Sequence, residues 1–138
     1  MDKNIELAIL KSEDFLETGK DDLKANHVLA TINRCYYAYF WLARTLLFKK
    51  DIFVKTHNVV KSKFSELYIK TNIIPEIYGK HLAKLMEYRQ EADYDLESSF
   101  TKEEVQEMIA WTEEFLDFVK ENIEKLQYKV LQFRGLYF

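Results

Sequence analysis

Apolar residues recur at steps of three and four along most of the chain, the spacing of helices that bury one face. Ile5, Ala8, Ile9, Ser12, Phe15, Leu16, Gly19 and Leu23 line one such face, which predicts a first helix from about Ile5 to Ala25. Gly19 lies on it, where glycine costs about 1 kcal/mol against alanine but lets a neighbouring helix come close. Asn26 tolerates left-handed geometry and is placed to end this helix. A second helix runs from about Val28 to Lys49 and carries two apolar stripes. One is Leu29, Ile32, Tyr36, Tyr39, Phe40, Ala43, Leu46 and Leu47; the other, roughly opposite, is Ala30, Arg34, Tyr37, Trp41 and Phe48. A helix apolar nearly all round is either central in its bundle or covered on one side by a second subunit.

Thr56 is placed to cap a third helix, with Val60, Phe64, Leu67 and Tyr68 inward. Ile73-Ile74-Pro75 breaks it, and Pro75 suits the first position of a fourth helix. There Ile77, Tyr78, Leu82, Leu85, Met86, Arg89 and Ala92 form one stripe, and Tyr94 to Ser99 reads as a loop. Thr101 with Glu104 makes a capping box, and Phe100 with Val105 a hydrophobic staple. The fifth helix carries Val105, Met108, Ile109, Thr112, Phe115, Leu116, Val119, Ile123, Leu126 and Val130 inward. The tail from Phe133 to Phe138 is apolar enough to pack, and Gly135 marks its departure from the helix. Five helices without a strand, linker or repeat predict an all-α fold. It is read as a single domain over residues 1–138, an antiparallel up-and-down bundle of four to five helices.

Composition narrows the class further. With 138 residues, 48% hydrophobic and 31% charged, the chain has a core of its own and lies outside the disordered range. A lone cysteine, Cys35, excludes an intramolecular disulfide framework and fits a reducing compartment. A formal net charge of −3 gives no global drive toward nucleic acid or acidic membranes. The opening residues Met1-Asp2-Lys3-Asn4 do not read as a secretory signal, and no apolar run approaches the ~20 residues of a membrane span. The expectation is a soluble cytoplasmic protein without membrane association.

Two arginines break the apolar stripes. Arg34 sits mid-helix among aromatics, with Tyr37 one turn on, and Arg89 stands on the inward stripe of the fourth helix. A buried guanidinium needs charged or carbonyl partners, since leaving it unpaired costs several kcal/mol. The acidic segment Glu91-Ala92-Asp93-Tyr94-Asp95 follows Arg89, so both arginines are expected to approach Asp93–Asp95. That grouping is either a buried polar network or a pocket for an anionic ligand. His57, at the start of the third helix, is either a capping residue or an acid/base group. No two histidines stand at helical spacing, and no glycine-rich phosphate loop occurs, so neither a metal nor a cofactor is expected. Cys35 reads as a small core residue.

Three elements in order carry a family resemblance. Ala30-Thr31-Ile32-Asn33-Arg34-Cys35-Tyr36-Tyr37-Ala38-Tyr39-Phe40 resembles the central "A-V-N-R-A-Y-Y-A-x-F" segment of small stand-alone HEPN proteins. Lys55-Thr56-His57 resembles the "K-T-H" that follows it, and Tyr88-Arg89-Gln90-Glu91-Ala92-Asp93-Tyr94 the later "R-x-x-A-D-Y" element. The resemblance spans about Lys11 to Ile123 and implies a helical bundle that pairs as a two-fold homodimer. It also implies a metal-independent ribonuclease toxin, encoded beside a nucleotidyltransferase-like antitoxin. The family's signature is an arginine followed after four to six residues by a histidine. Here Arg89 is present, but positions 94 to 96 read Tyr94, Asp95 and Leu96.

The resulting expectation is a HEPN-family component of a toxin–antitoxin or defence-type module. Arg89, His57, Arg34 and Asp93 are the candidate catalytic residues, acting on RNA. Tyr94, Tyr37 and Asp95 are the candidates for binding or modification, Tyr94 as the tyrosine that the partner adenylylates. The alternative is a non-catalytic helical module that binds a nucleotide or a protein, with Arg34–Asp93 and Arg89–Asp95 holding the second and fourth helices together.

Overall fold

The computed structural model describes the backbone of residues 2–135 and the side chains of residues 2–126. Five helices follow one another, α1 (Lys3–Lys24), α2 (Val28–Phe48), α3 (His57–Phe64), α4 (Glu76–Tyr94) and α5 (Lys102–Gly135), and no strand occurs among the described residues. α1 starts earlier than its apolar face because the Asp2 carboxylate accepts the Asn4 amide at 2.7 Å. It ends as the sequence implies, with Asn26 left-handed at φ 64°. The capping box of α5 is formed in both directions. Glu104 Oε1 accepts from Thr101 N at 2.9 Å, and Thr101 Oγ1 accepts from Glu104 N at 3.1 Å.

Three expectations need correction. Pro75 stands just before α4 rather than in its first turn, with extended backbone at ψ 140°. Ile77 is exposed, because the inward face of α4 begins with Tyr78 and Leu82. The third helix does not simply stop at its apolar face but widens into a π-turn over Ser65–Ile69, closed by Lys70 N donating to Ser65 O at 2.8 Å. The apolar tail from Phe133 lies outside the described side chains, as does Val130.

α2 is the axis of the bundle and packs against each of the other four helices. Its Ile32, Cys35, Ala38, Tyr39, Leu42, Ala43, Leu46 and Leu47 are fully enclosed, whereas Leu29 is exposed and the second stripe, Ala30, Arg34, Tyr37, Trp41 and Phe48, is only partly buried. Gly19 on α1 explains how closely α2 approaches. A β-carbon there would meet Arg34 Cβ at 3.1 Å. At the same crossing Thr31 Oγ1 donates to Gly19 O at 3.2 Å, and further along Ser12 Oγ donates to Ala38 O at 2.8 Å. Tyr39 donates to the Tyr78 carbonyl at 2.8 Å and ties α2 to α4. Cys35 is wholly buried, and desolvation pushes its thiol up to about 12, which keeps it a protonated core residue. No described helix is long and apolar enough to cross a membrane.

Candidate functional site

Tyr36, Tyr37 and Phe40 fall within one turn and a half of α2, on the side that faces the starts of α3 and the C-terminal half of α4. α3 begins at His57 itself, after Thr56 in extended geometry (φ −74°, ψ 144°) whose side chain makes no capping bond. The His57 ring is therefore free to turn inward. Its centroid lies 4.8 Å from Phe40, 5.5 Å from Tyr36 and 5.8 Å from Tyr37, and its Nδ1 is 2.5 Å from the Tyr36 hydroxyl.

α4 brings Arg89 to the same place. Its guanidinium lies 4.8 Å from the centre of the Tyr36 ring and 5.9 Å from that of Tyr37, a cation over aromatic faces. Only 11% of its side chain is exposed. Nη1 reaches Asp93 Oδ2 at 3.2 Å, one turn along α4, whereas Nε is buried without a hydrogen-bond partner. An unsatisfied donor on a buried cation is costly, and it marks a place where an incoming acceptor is stabilised.

The electrostatics of the cluster are set by burial and by this cation. Desolvation, and after it the Arg89 charge, hold His57 below its ordinary 6.5. The imidazole is therefore neutral at pH 7 and able to accept a proton. Desolvation pushes Tyr36 up to about 12 against the opposing pull of Arg89. The Tyr36 hydroxyl thus stays protonated and orients the ring.

The structure brings Arg89, His57, Tyr37 and Asp93 into one neighbourhood. Arg34 is elsewhere: its Nε faces Asp22 Oδ2 of α1 across a long 3.9 Å, and its Nη1 donates to Asn33 Oδ1 at 2.9 Å. The expected Arg34–Asp93 bridge between α2 and α4 is not made, because the close α1–α2 crossing beside Gly19 supplies a nearer carboxylate. Arg89 pairs with Asp93 rather than with Asp95, whose Oδ1 accepts the Glu97 amide at 3.1 Å. Tyr94 stands at the last position of α4, 81% exposed.

Two further residues, Tyr36 and Arg44, adjoin this cluster. Tyr36 was assigned to the core stripe, and its ring is indeed buried, but its hydroxyl holds His57. Arg44 interrupts the most apolar stretch of the chain. It stands four residues after Phe40, three after Trp41 and four before Phe48, a spacing that puts all three rings beside it.

Comparison with known proteins places the chain in a family. The HEPN domain profile matches residues 5–123, which include all of these side chains. A "UPF0332 protein" of Thermotoga maritima is 30% identical over 126 residues, covering 91% of this chain and 96% of its own. "Putative toxin MJ0142" of Methanocaldococcus jannaschii is 30% identical over 118 residues, covering 86% of this chain and 80% of its own. A second protein of that organism, "Putative toxin MJ0605", is likewise 30% identical over 118 residues, covering 80% and 87%. Profile, relatives and the ordered match of three sequence elements agree: the chain belongs to the HEPN domain family.

Proposed function

We infer that the protein is a ribonuclease toxin whose reaction takes place at His57 and Arg89, which meet on the Tyr36 and Tyr37 rings. The observation that carries this reading is a neutral imidazole held by Tyr36 beside a buried guanidinium whose Nε has no partner. The inferred reaction uses the tautomer in which Nδ1–H donates to the Tyr36 oxygen; in that form Nε2 is bare and accepts the proton of a ribose 2′-hydroxyl. The 2′-oxygen attacks the adjacent phosphorus, and the bond to the 5′-oxygen of the next nucleotide breaks. That oxygen takes a proton from water and His57 returns its proton to the hydroxide so formed, leaving a 2′,3′-cyclic phosphate and a 5′-hydroxyl. Arg89 faces the charge that grows on the phosphoryl oxygens and is preorganised by the two tyrosine rings and Asp93. His57 thus takes the part of the histidine that the family signature would place after Arg89.

The relatives named as toxins support a toxin role, and the exposed Tyr94 fits control by a nucleotidyltransferase-like partner. Its hydroxyl would attack the α-phosphate of ATP and release pyrophosphate, placing an adenylyl group at the end of α4, one turn beyond Arg89. Pairing of two copies as a homodimer would bring two such sites into one assembly.

Expression without the partner is expected to slow growth and degrade cellular RNA, and Arg89→Ala to relieve both. Loss of a single preorganised donor of this kind costs about 10²–10³ in rate. Growth and RNA integrity unchanged by the folded wild-type protein would contradict the reading. The Arg89–Asp93 ion pair favours a second reading, a non-catalytic module that binds a nucleotide or a protein. In that case Arg89→Ala lowers stability or binding with no cleavage to lose.

A further inference from the structure

Beyond Phe40, the same side of α2 opens into a groove of about 390 Å³, within the range of small-ligand sites. Trp41, Arg44 and Phe48 of α2 form its floor, Lys11 of α1 one wall, and Phe53 and Lys55 of the α2–α3 connection the other. The Arg44 guanidinium lies 4.3 Å from the Trp41 ring centre and 5.4 Å from that of Phe48, and the Lys11 ammonium is 4.8 Å from Trp41. Phe48 and Phe53 stack with centroids 5.2 Å apart, and Phe53 is more than half exposed.

Charge separates this groove from its neighbours. The cleft beside Glu6 and Glu13 mixes carboxylates with Lys120, and the one beside Lys20 and Lys24 includes Glu113. None of the residues lining the Trp41 groove is acidic. Lys11, Arg44 and Lys55 make no ion pair among the described residues, and Arg44 Nε is buried without a hydrogen-bond partner. Three cations without an ion pair beside the exposed Phe53 ring fit a ligand that is anionic and also carries a planar ring, the chemistry of a nucleotide unit.

The groove neighbours the His57–Arg89 cluster across the buried Phe40 ring. Arg44 lies 5.9 Å from the Phe40 ring, Phe40 lies 4.8 Å from His57, and Lys55 precedes His57 by two residues. We propose that the Trp41–Arg44–Phe53 groove is a subsite that stacks a base, and binds the phosphate, of the single-stranded RNA flanking the bond to be cut. The proposal rests on the ribonuclease reading for its choice of ligand. The exposed Phe53 ring, and Trp41 once Lys11 or Arg44 shifts to a phosphate, supply stacking that tolerates any base, and Lys11, Arg44 and Lys55 follow the backbone.

The test separates binding from chemistry. A fluorescein-labelled oligoadenylate RNA with every 2′-hydroxyl methylated cannot be cleaved by 2′-oxygen attack, so its anisotropy reports binding alone. In a Trp111→Phe background, quenching of Trp41 fluorescence reports stacking in the groove. The expected result is quenching on binding, and affinity lowered about tenfold by Phe53→Ser, by Arg44→Gln and by the exposed pair Lys11→Gln/Lys55→Gln. The salt dependence of log K should also flatten by about 0.7 for each cation removed. Unquenched Trp41 at saturation, or variants that bind as tightly as the parent, would overturn the subsite. So would variants that separate a dimer into monomers without changing RNA affinity, since the groove would then be an interface between copies. Uncut, unmethylated RNA despite tight binding with Trp41 quenched would remove the ribonuclease reading and leave the groove. Cleavage of long RNA unaffected by all three variants would do the reverse.

Discussion

Tyr36 is 1% exposed and by burial alone a core residue, yet its one polar atom sets the chemistry of His57. A half-buried imidazole beside a cation favours its neutral form, and this has a thermodynamic consequence. The folded chain holds His57 below 6.5, by desolvation first and the Arg89 charge second, whereas the unfolded chain titrates near 6.5. As pH falls through that interval the unfolded state binds the proton first. The contribution of His57 to stability is therefore complete above 6.5 and is lost as pH falls through its folded value. NMR titration of the ring is expected to give a midpoint below 6.5 that rises toward it in Arg89→Gln; a midpoint at or above 6.5 would contradict the geometry. At this scale the sequence was partly legible. Arg89 with Asp93 follows from a four-residue helical step, but Arg34 with Asp22 depends on how two helices cross, which no local spacing encodes. The unpartnered Nε of Arg44 was hidden for the same reason, although its aromatic neighbours at three- and four-residue steps were in plain view.

Among the elements, the α1–α2 pair shows how one small residue fixes a site at a distance. The close approach at Gly19 sets the height and rotation of α2, and with them the positions of Tyr36, Tyr37 and Phe40. Gly19→Ala would gain helix propensity of about 1 kcal/mol but would press a methyl group against Arg34 Cβ, an atom that moves only with the α2 backbone. The expected net result is a loss of about 1–2 kcal/mol, read as a lower midpoint in urea with an unchanged slope. A variant more stable than the parent would mean that the crossing has slack. Helices with long, one-sided apolar periodicity, α1 and α5, were readable to within a few residues because burial follows that period directly. The π-turn at Ser65–Ile69 was not, since it answers to tertiary demands: Tyr68 must reach the Leu46 carbonyl with its hydroxyl while Ile74 N reaches Tyr68 O at 2.9 Å.

The whole molecule is a bundle built around α2, with one side of that helix left partly uncovered and lined by aromatic rings and cations. The Arg89–His57 cluster lies toward the middle of this side and the Trp41 groove toward its C-terminal end. An acidic chain, formally −3 overall, therefore carries a local concentration of cations on this side, of which Lys11, Arg44 and Lys55 make no ion pair among the described residues. Composition had argued against a drive toward nucleic acid, and the placement of Lys11, Arg44, Lys55 and Arg89 on one side is what composition does not contain. The central claim is that His57 and Arg89 together cleave RNA, and the most direct measurement is the product formed by purified protein. Labelled single-stranded RNA should be converted, in the presence of EDTA, to fragments ending in 2′,3′-cyclic phosphate. Both Arg89→Ala and His57→Ala, shown by circular dichroism to remain folded, should lower the rate by at least about a hundredfold. Intact RNA after incubation with folded wild-type protein, or cleavage that persists at full rate in both variants, would contradict it.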